Sequence, residues 1–340
     1  MTKIPVAIVG ASGYTGLELI KILLNHPRFE IAFLGASEAA GEIAKTHKSL
    51  NFVIKTEVEK TEIDEIARRA ELAFLAVPHK QAARIAKELL AKGVKVVDLS
   101  ADYRLTRENY EAAYGGEHED LENLAHAIYG MSELVGVSAI QNARLVANPG
   151  CYPTASILAA LPFLPFADLS QPIIIDAKSG VSGAGKSHSD RTHFVNVNEN
   201  FFAYSPISHR HAPEIEEKLT IAANRETKAI FVPQLLPATR GMIASVYIRL
   251  AKQIADPNTI AREFYAANQF VRVINEPPQM KFVAGTHFAD IYAMQKDGTI
   301  FVQSAIDNLL RGASSAAAAN ANLMCGLDLA RGLPTIAYAP

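Results

Sequence analysis

The sequence predicts a two-domain protein of α/β plus α+β class, with a doubly wound parallel sheet first and a mostly antiparallel sheet second. Three observations carry this. Up to about residue 100, short apolar runs alternate with helical stretches, the pattern of parallel strands joined by crossover helices. A glycine turn joins the first strand to the first helix. Beyond residue 170 further strand-like runs appear, the last two linked by a hairpin signal. At 340 residues and 49% hydrophobic content, two cores are a better expectation than one.

Val6–Val9 is an apolar run ending in Gly10. Leu17, Ile20, Leu23 and Leu24 then form one stripe of a helix. Ile31–Leu34 reads as the second strand, Ile63–Ala70 as a helix, and Leu72–Val77 as a third strand stopped by Pro78. Gln81–Ala91 is a helix with Gly93 as its stop, and Val94–Leu99 a fourth strand. In the second half, strands are expected at Ile173–Asp176, Ala229–Leu236, Ile243–Leu250, Ala289–Ala293 and Ile300–Ala305. Asp297-Gly298 marks the hairpin between the last two. Helices are expected near Ala212–Ala223 and Asn258–Asn268, and a long alanine-rich one from Gly312 to Gly326, suited to close packing back against the first domain. The expected division is residues 1–148 with about 310–340, and 149–309.

Formal net charge is -2 with both signs interspersed, so no basic stripe points to nucleic acid. No apolar run reaches the ~20 residues that cross a bilayer, and the N-terminus lacks a signal-peptide pattern. Cys151 and Cys325 are too few for a disulfide framework, which fits the cytoplasm. No His/Cys/Asp spacing matches a zinc site, and no metal is expected.

Gly10-Ala11-Ser12-Gly13-Tyr14-Thr15-Gly16 has the strand–turn–helix setting of a dinucleotide site of Rossmann type. Glycines let the backbone approach a pyrophosphate, and the helix N-terminus supplies N–H groups and a positive dipole end. At the end of the second strand, Ser37 suits a ribose 2′-phosphate and Glu38 a 2′-hydroxyl, so the residues leave NADP and NAD both open.

Asn148-Pro149-Gly150-Cys151-Tyr152-Pro153-Thr154 places Cys151 at or just before a helix start, where a thiol pKa falls and the thiolate is favoured. Cys325, inside the alanine-rich helix, reads as core. Ser208-His209-Arg210-His211-Ala212-Pro213-Glu214 is a polar loop entering a helix. His209 suits acid/base work near neutral pH, and Arg210 a carboxylate or phosphate. Gly180-Val181-Ser182-Gly183-Ala184-Gly185-Lys186-Ser187 matches a nucleotide-triphosphate P-loop by spelling, but residues 188–200 carry no helical stripe. The better reading is a glycine-rich loop whose N–H groups bind phosphate or carboxylate.

Together these segments, with Leu99-Ser100-Ala101-Asp102-Tyr103-Arg104 and Asp307-Asn308-Leu309-Leu310-Arg311-Gly312-Ala313, resemble the N-acetyl-gamma-glutamyl-phosphate reductases of the semialdehyde dehydrogenase superfamily over essentially the whole chain. Members often continue Gly-Ala-Ser with Gly-Gln-Ala, where this chain has Ser315-Ala316-Ala317. The resemblance implies NADPH as reductant and reduction of the acyl phosphate through a Cys151 thioester, with release of phosphate. It implies His209 as acid/base, protonating the collapsing hemithioacetal, and Ser37 over Glu38 at the ribose. Cofactor contacts are implied at Gly10, Ser12, Gly13, Tyr14, Thr15, Gly16, Ser37, Pro78, Gly183 and Asn308. Ser182, His211 and the arginines Arg104, Arg191, Arg210 and Arg240 are candidates for the substrate. It further implies a cysteine-led helix at the domain junction and a second domain that forms a homodimer or homotetramer. Reduction of a carrier-linked aminoadipyl phosphate, an aspartate-semialdehyde dehydrogenase, a dinucleotide-sensing regulator and an ATPase are the alternatives.

Overall fold

The computed structural model describes Thr2 to Ala339. The chain divides into two compact units. One runs to Pro149 and resumes over Ala313–Pro334; the other comprises Gly150–Gly312 and the residues from Thr335.

The first unit is built on eight strands: β1 Ile4–Val9, β2 Phe29–Ala36, β3 Gly41–Glu42, β4 Glu57–Lys60, β5 Leu72–Leu75, β6 Lys95–Asp98, β7 Ile128–Tyr129 and β8 Leu145–Ala147. Their spatial order is β3-β4-β2-β1-β5-β6-β8-β7, and every pair except β3/β4 is parallel. The chain winds outward in both directions from β1, so the crevice at the carboxyl ends of β1 and β5 is the switch point where such sheets bind ligands. The central strands read as unbroken apolar runs because both faces are covered. On one face Val6, Ile8, Leu34 and Phe74 meet Leu19 and Ile20 of the helix Tyr14–Leu24 and Ala317 and Ala321 of the helix Ser315–Met324. On the other, Ala7, Val9, Phe33 and Leu75 meet Ala82, Ala86 and Leu89 of the helix Gln81–Ala91. The alanine-rich helix starts later than its composition suggests, because Leu310–Ser314 forms a π-helical turn first.

The second unit holds seven strands: β9 Ile173–Gly180, β10 Phe202–Ala203, β11 Ala229–Leu236, β12 Met242–Arg249, β13 Val271–Val273, β14 Ala289–Lys296 and β15 Thr299–Ile306. The order is β10-β11-β9-β12-β15-β14-β13, antiparallel apart from β9/β11 and β13/β14. Asp297 and Gly298 take φ of 48° and 69°, the left-handed pair that a two-residue hairpin requires. The helix Cys151–Ala160 packs on β12 and β15, Ala212–Ala223 on β11 and Pro257–Phe264 on β14. The helix expected near Asn258–Asn268 is therefore shorter at its C-terminal end.

Candidate active site

In the first unit, Gly10 sits at φ 92°, where a Cβ would lie 2.2 Å from the Ala76 carbonyl oxygen, and a Cβ on Gly16 would lie 2.4 Å from the Gly10 oxygen. Glycine at both positions is therefore steric necessity. Gly10 and Ala11 both donate to the Gly35 carbonyl, at 2.8 and 3.0 Å, which locks the turn to the end of β2. The first intrahelical bond runs from Leu17 N–H to the Gly13 oxygen, so Tyr14, Thr15 and Gly16 are the first-turn residues. Gly13 at the cap carries no side chain to cover their amides. A backbone cradle with a bare helix N-terminus fits a pyrophosphate. Ser37 and Glu38 follow β2 directly and are exposed. Pro78 follows β5 and is also exposed. Its loop is fixed by the buried Asp102, whose carboxylate accepts the Lys80 and Ala83 N–H groups and the Tyr110 hydroxyl at 2.8–2.9 Å.

In the second unit, Cys151 is the first residue of its helix and is half-buried, while Tyr152 to Ala160 are buried. Gly150 caps the helix in extended conformation, and its N–H donates to the Glu214 carboxylate at 3.0 Å. Thr154 closes the first turn by donating N–H and Oγ1 to the Gly150 carbonyl, at 2.9 and 2.8 Å. The positive end of the helix dipole thus faces the sulfur, which favours the thiolate. Gly312, in the π-helical turn, backs onto it: a Cβ there would lie 2.6 Å from the Cys151 Cβ.

His209 lies in an aromatic cluster, with ring centroids 5.9 Å from Tyr152, 5.4 Å from Tyr204, 4.9 Å from His211 and 5.5 Å from Phe231. Burial, then the neighbouring Arg210 charge, pushes its pKa down to about 4, so the ring is neutral at pH 7. Its Nδ1 accepts the His211 N–H at 3.1 Å, which leaves the proton of the neutral ring on Nε2. The Tyr204 hydroxyl donates to the Tyr152 hydroxyl at 3.0 Å, and that donates to the Gln234 carbonyl at 3.1 Å. Both tyrosines are raised in pKa, chiefly by burial, with the Cys151 charge among the further causes; the Arg191 charge acts on Tyr204 in the opposite sense.

Ser182 and Gly183 form a turn that rests on Asn308. The Asn308 amide donates to Ser182 Oγ at 3.0 Å, and its oxygen accepts the Gly241 N–H at 2.8 Å. The Asn308 side chain thus sets the shape of the turn. Among residues 187–200 the longest helix is Phe194–Val197, too short to hold triphosphate, so the P-loop spelling lacks its structural context. Arg210 is exposed, and His211 is half-buried. Arg240 donates Nε to Asp307 at 2.6 Å. Arg104 is buried in the first unit, where Nε and Nη2 donate to the Asn148 and Leu99 carbonyls at 2.8 and 2.7 Å. Those bonds fix the backbone ahead of the cysteine motif. Among the described residues no group of three or more His, Cys, Asp or Glu is placed to hold a metal, and no helix is long and apolar enough to cross a membrane.

Sequence reasoning assigned no role to Tyr152, Tyr204, Glu214 or Gly312. Glu214 and Gly312 reach the cysteine turn across 64 and 161 positions of sequence, which no local spacing encodes. Tyr152 was adjacent to the cysteine, but only the fold shows that its ring joins His209.

A model described as the semialdehyde dehydrogenase NAD binding domain matches residues 5–143, and one described as the semialdehyde dehydrogenase dimerisation domain matches 151–308. The aspartate semialdehyde dehydrogenase II of Vibrio cholerae, complexed with ASA, superposes with a TM-score of 0.72 at 15% identity, covering 96% of this chain and 99% of that one, and so shares the fold. Aspartate semialdehyde dehydrogenase with NADP from Candida albicans superposes with a TM-score of 0.65 at 14% identity, covering 95% of this chain and 99% of that one. The N-acetyl-gamma-glutamyl-phosphate reductase of Wolinella succinogenes is 54% identical over 100% of both chains, and that of Campylobacter curvus 57% identical over 99% of both. On matches of that extent, the chain belongs to the N-acetyl-gamma-glutamyl-phosphate reductases, within the semialdehyde dehydrogenase family.

Proposed function

We propose that this protein reduces N-acetyl-gamma-glutamyl phosphate to N-acetylglutamate 5-semialdehyde, with release of phosphate, in arginine biosynthesis. The observation that carries the reading is Cys151 at the uncovered N-terminus of a buried helix, in a chain more than half identical to reductases of that name. The Cys151 thiolate attacks the acyl carbon; a C–S bond forms, the C–O bond to phosphate breaks, and a thioester remains on the protein. In the first unit Gly10, Ser12, Gly13, Tyr14, Thr15 and Gly16, with Ser37 at the ribose and Pro78, would hold NADPH, which would supply hydride to the thioester carbon when bound; Gly183 and Asn308 are the second unit's candidates for the same cofactor. When the tetrahedral centre collapses, the sulfur leaves with the C–S electron pair and the thiolate is restored.

His209 serves this sequence as a neutral Nε2–H donor toward the substrate oxygen on which negative charge builds. Of the first-turn residues of the Cys151 helix, Pro153 has no N–H and Thr154 spends its own on Gly150, so the Cys151 and Tyr152 N–H groups are the further donors. Ser182, Arg210 and His211 are assigned to the substrate, with Arg191 and Arg240 as further partners for its carboxylate and phosphate. Arg104, tied to two backbone carbonyls, acts indirectly by holding Asn148.

A cytoplasmic homodimer or homotetramer fits the outer face of the seven-stranded sheet. There Ile230, Ile174, Tyr247, Phe301 and Met294 stand in register across five adjacent strands, an apolar row with solvent-exposed members. The domain described by its family as a dimerisation domain includes that row. Tyr247→Asp should lower the mass seen by light scattering; an unchanged mass would move the interface elsewhere.

The reaction is tested in reverse. Protein, NADP⁺, phosphate and N-acetylglutamate 5-semialdehyde should generate nicotinamide absorbance that depends on phosphate. Turnover that ignores phosphate would sink the acyl-phosphate chemistry. A strong preference for another semialdehyde would move the substrate to the aminoadipyl or aspartyl series.

A further inference from the structure

The first unit carries a feature that the glycine turn does not explain: the path of the chain after β2. At the end of β2, Ala36 pairs with Lys60 of β4, and the Ala36 carbonyl accepts both the N–H and the Oγ1–H of Thr61, at 2.9 and 3.0 Å. Four residues later the chain is on the other flank of the same strand, where the Ala40 N–H donates to the Val58 carbonyl at 3.0 Å and Gly41 pairs with Val58. Ser37-Glu38-Ala39 therefore arches over the carboxyl end of β4, and Lys60 is the residue that ends β4 beneath the arch.

This is the edge of the sheet where a dinucleotide places its adenosine ribose. A 2′-phosphate there is about two negative charges with three acceptor oxygens, and it needs a cation. Ser37 offers only a hydroxyl, and the exposed Glu38 beside it is repulsive. Four cations lie on the surrounding elements. Arg68 is paired with Glu65 on its own helix, at 2.6 Å. Arg69 is engaged, donating to Glu59 at 2.7 Å and to the Ala32 carbonyl at 2.5 Å. The Lys45 ammonium lies over Gly41 together with the Glu57 carboxylate, at the opposite end of β4. Lys60 is exposed and has only a loose, solvated pairing with Glu62, at 3.6 Å with both side chains about 60% accessible. Such a pair contributes little and yields readily to a doubly charged ligand.

We infer that Lys60, presented beneath the Ser37–Ala39 arch, binds the 2′-phosphate of NADPH and sets the preference for NADPH over NADH. The inference rests on the cofactor reading above and adds a specificity-determining residue to it. Lys60→Arg should keep the preference, since a guanidinium also pairs with phosphate. Glu62→Gln, which removes the competing acid, should keep or strengthen it.

The test is calorimetric titration of the full chain with NADP⁺ and with NAD⁺, without turnover. Lys60→Gln should weaken NADP⁺ about tenfold, as expected for loss of one charge-assisted hydrogen bond, and leave NAD⁺ within about twofold. Lys45→Gln should change neither, and Lys60 is exposed enough that its loss should leave Tm unchanged. An unaltered NADP⁺ to NAD⁺ ratio in Lys60→Gln, or an equal loss of both, overturns the assignment while the cofactor reading stands. Failure of the unmodified protein to bind either dinucleotide overturns that reading, and the assignment with it.

Discussion

The two cysteines of this chain are both half-buried, and each sits at the end of a ten-residue helix. Cys151 begins its helix, with Gly150 as cap; Cys325 follows the last residue of Ser315–Met324. One sulfur meets open amides and the positive end of a dipole, the other the carbonyl end. Burial pushes the Cys325 thiol up to about 11, despite the opposing charge of Lys95. Which end of a helix a cysteine occupies separates a nucleophile from packing material more sharply than exposure does.

The comparison breaks most visibly under substitution. Cys151→Ser should lower phosphate-dependent turnover by about 10⁴-fold or more, with NADP⁺ affinity unchanged, whereas Cys325→Ser should stay within about twofold. Comparable losses from both would erase the distinction. Next is the reactivity of the sulfurs themselves. At pH 7 a thiol of pKa about 11 is about one part in ten thousand thiolate. Iodoacetamide followed by peptide mass analysis should therefore label Cys151 at least about a hundredfold faster. Rapid labelling of Cys325 in the folded protein would show that its helix end is not protective.

Gly312→Ala should lower kcat about a hundredfold, because the new methyl must displace Cys151 from where Gly312 now touches it. A variant with normal kcat would mean that the π-helical turn yields without moving the sulfur. The smallest expected effect concerns His209. Its folded pKa of about 4 lies below the unfolded value of about 6.5, so the unfolded chain binds the extra proton first. This group's contribution to stability is present above pH 6.5 and is lost as pH falls from about 6.5 to about 4. The Tm difference between wild type and His209→Gln should shrink over that window; a constant difference would place the ring in water.

What the sequence conveys follows from the range of the interactions. The central strands and the helices Gln81–Ala91 and Ala212–Ala223 are written in local periodicity and glycine punctuation, and they occur where that pattern puts them. The short strands β3, β7, β10 and β13 have too few residues for a period to show. Gly312–Ser314, expected as the first residues of the alanine-rich helix, belong to the π-helical turn Leu310–Ser314; Asp307, which accepts the Leu309 and Leu310 N–H groups at 2.8 and 3.0 Å, is itself held from afar by Arg240 Nε and the Gly285 N–H at 2.6 and 2.7 Å. In the site, Cys151, His209 and the glycine turn stand out by residue type and setting. The tautomer of His209 depends on a backbone N–H two residues away, and the cation under the ribose arch on which strand lies beside β2. Composition encodes neither.

The contact between Cys151 and Gly312 has a topological consequence. Gly150 and Gly312 bound the long second segment, so that segment behaves as an insertion whose two ends meet at Cys151. The surroundings of the sulfur are thus completed only when this loop has closed. In a nascent or partly unfolded chain the Cys151 thiol stands without Gly312 behind it, and the proposed acyl-phosphate chemistry would have to wait until the insertion has been made whole.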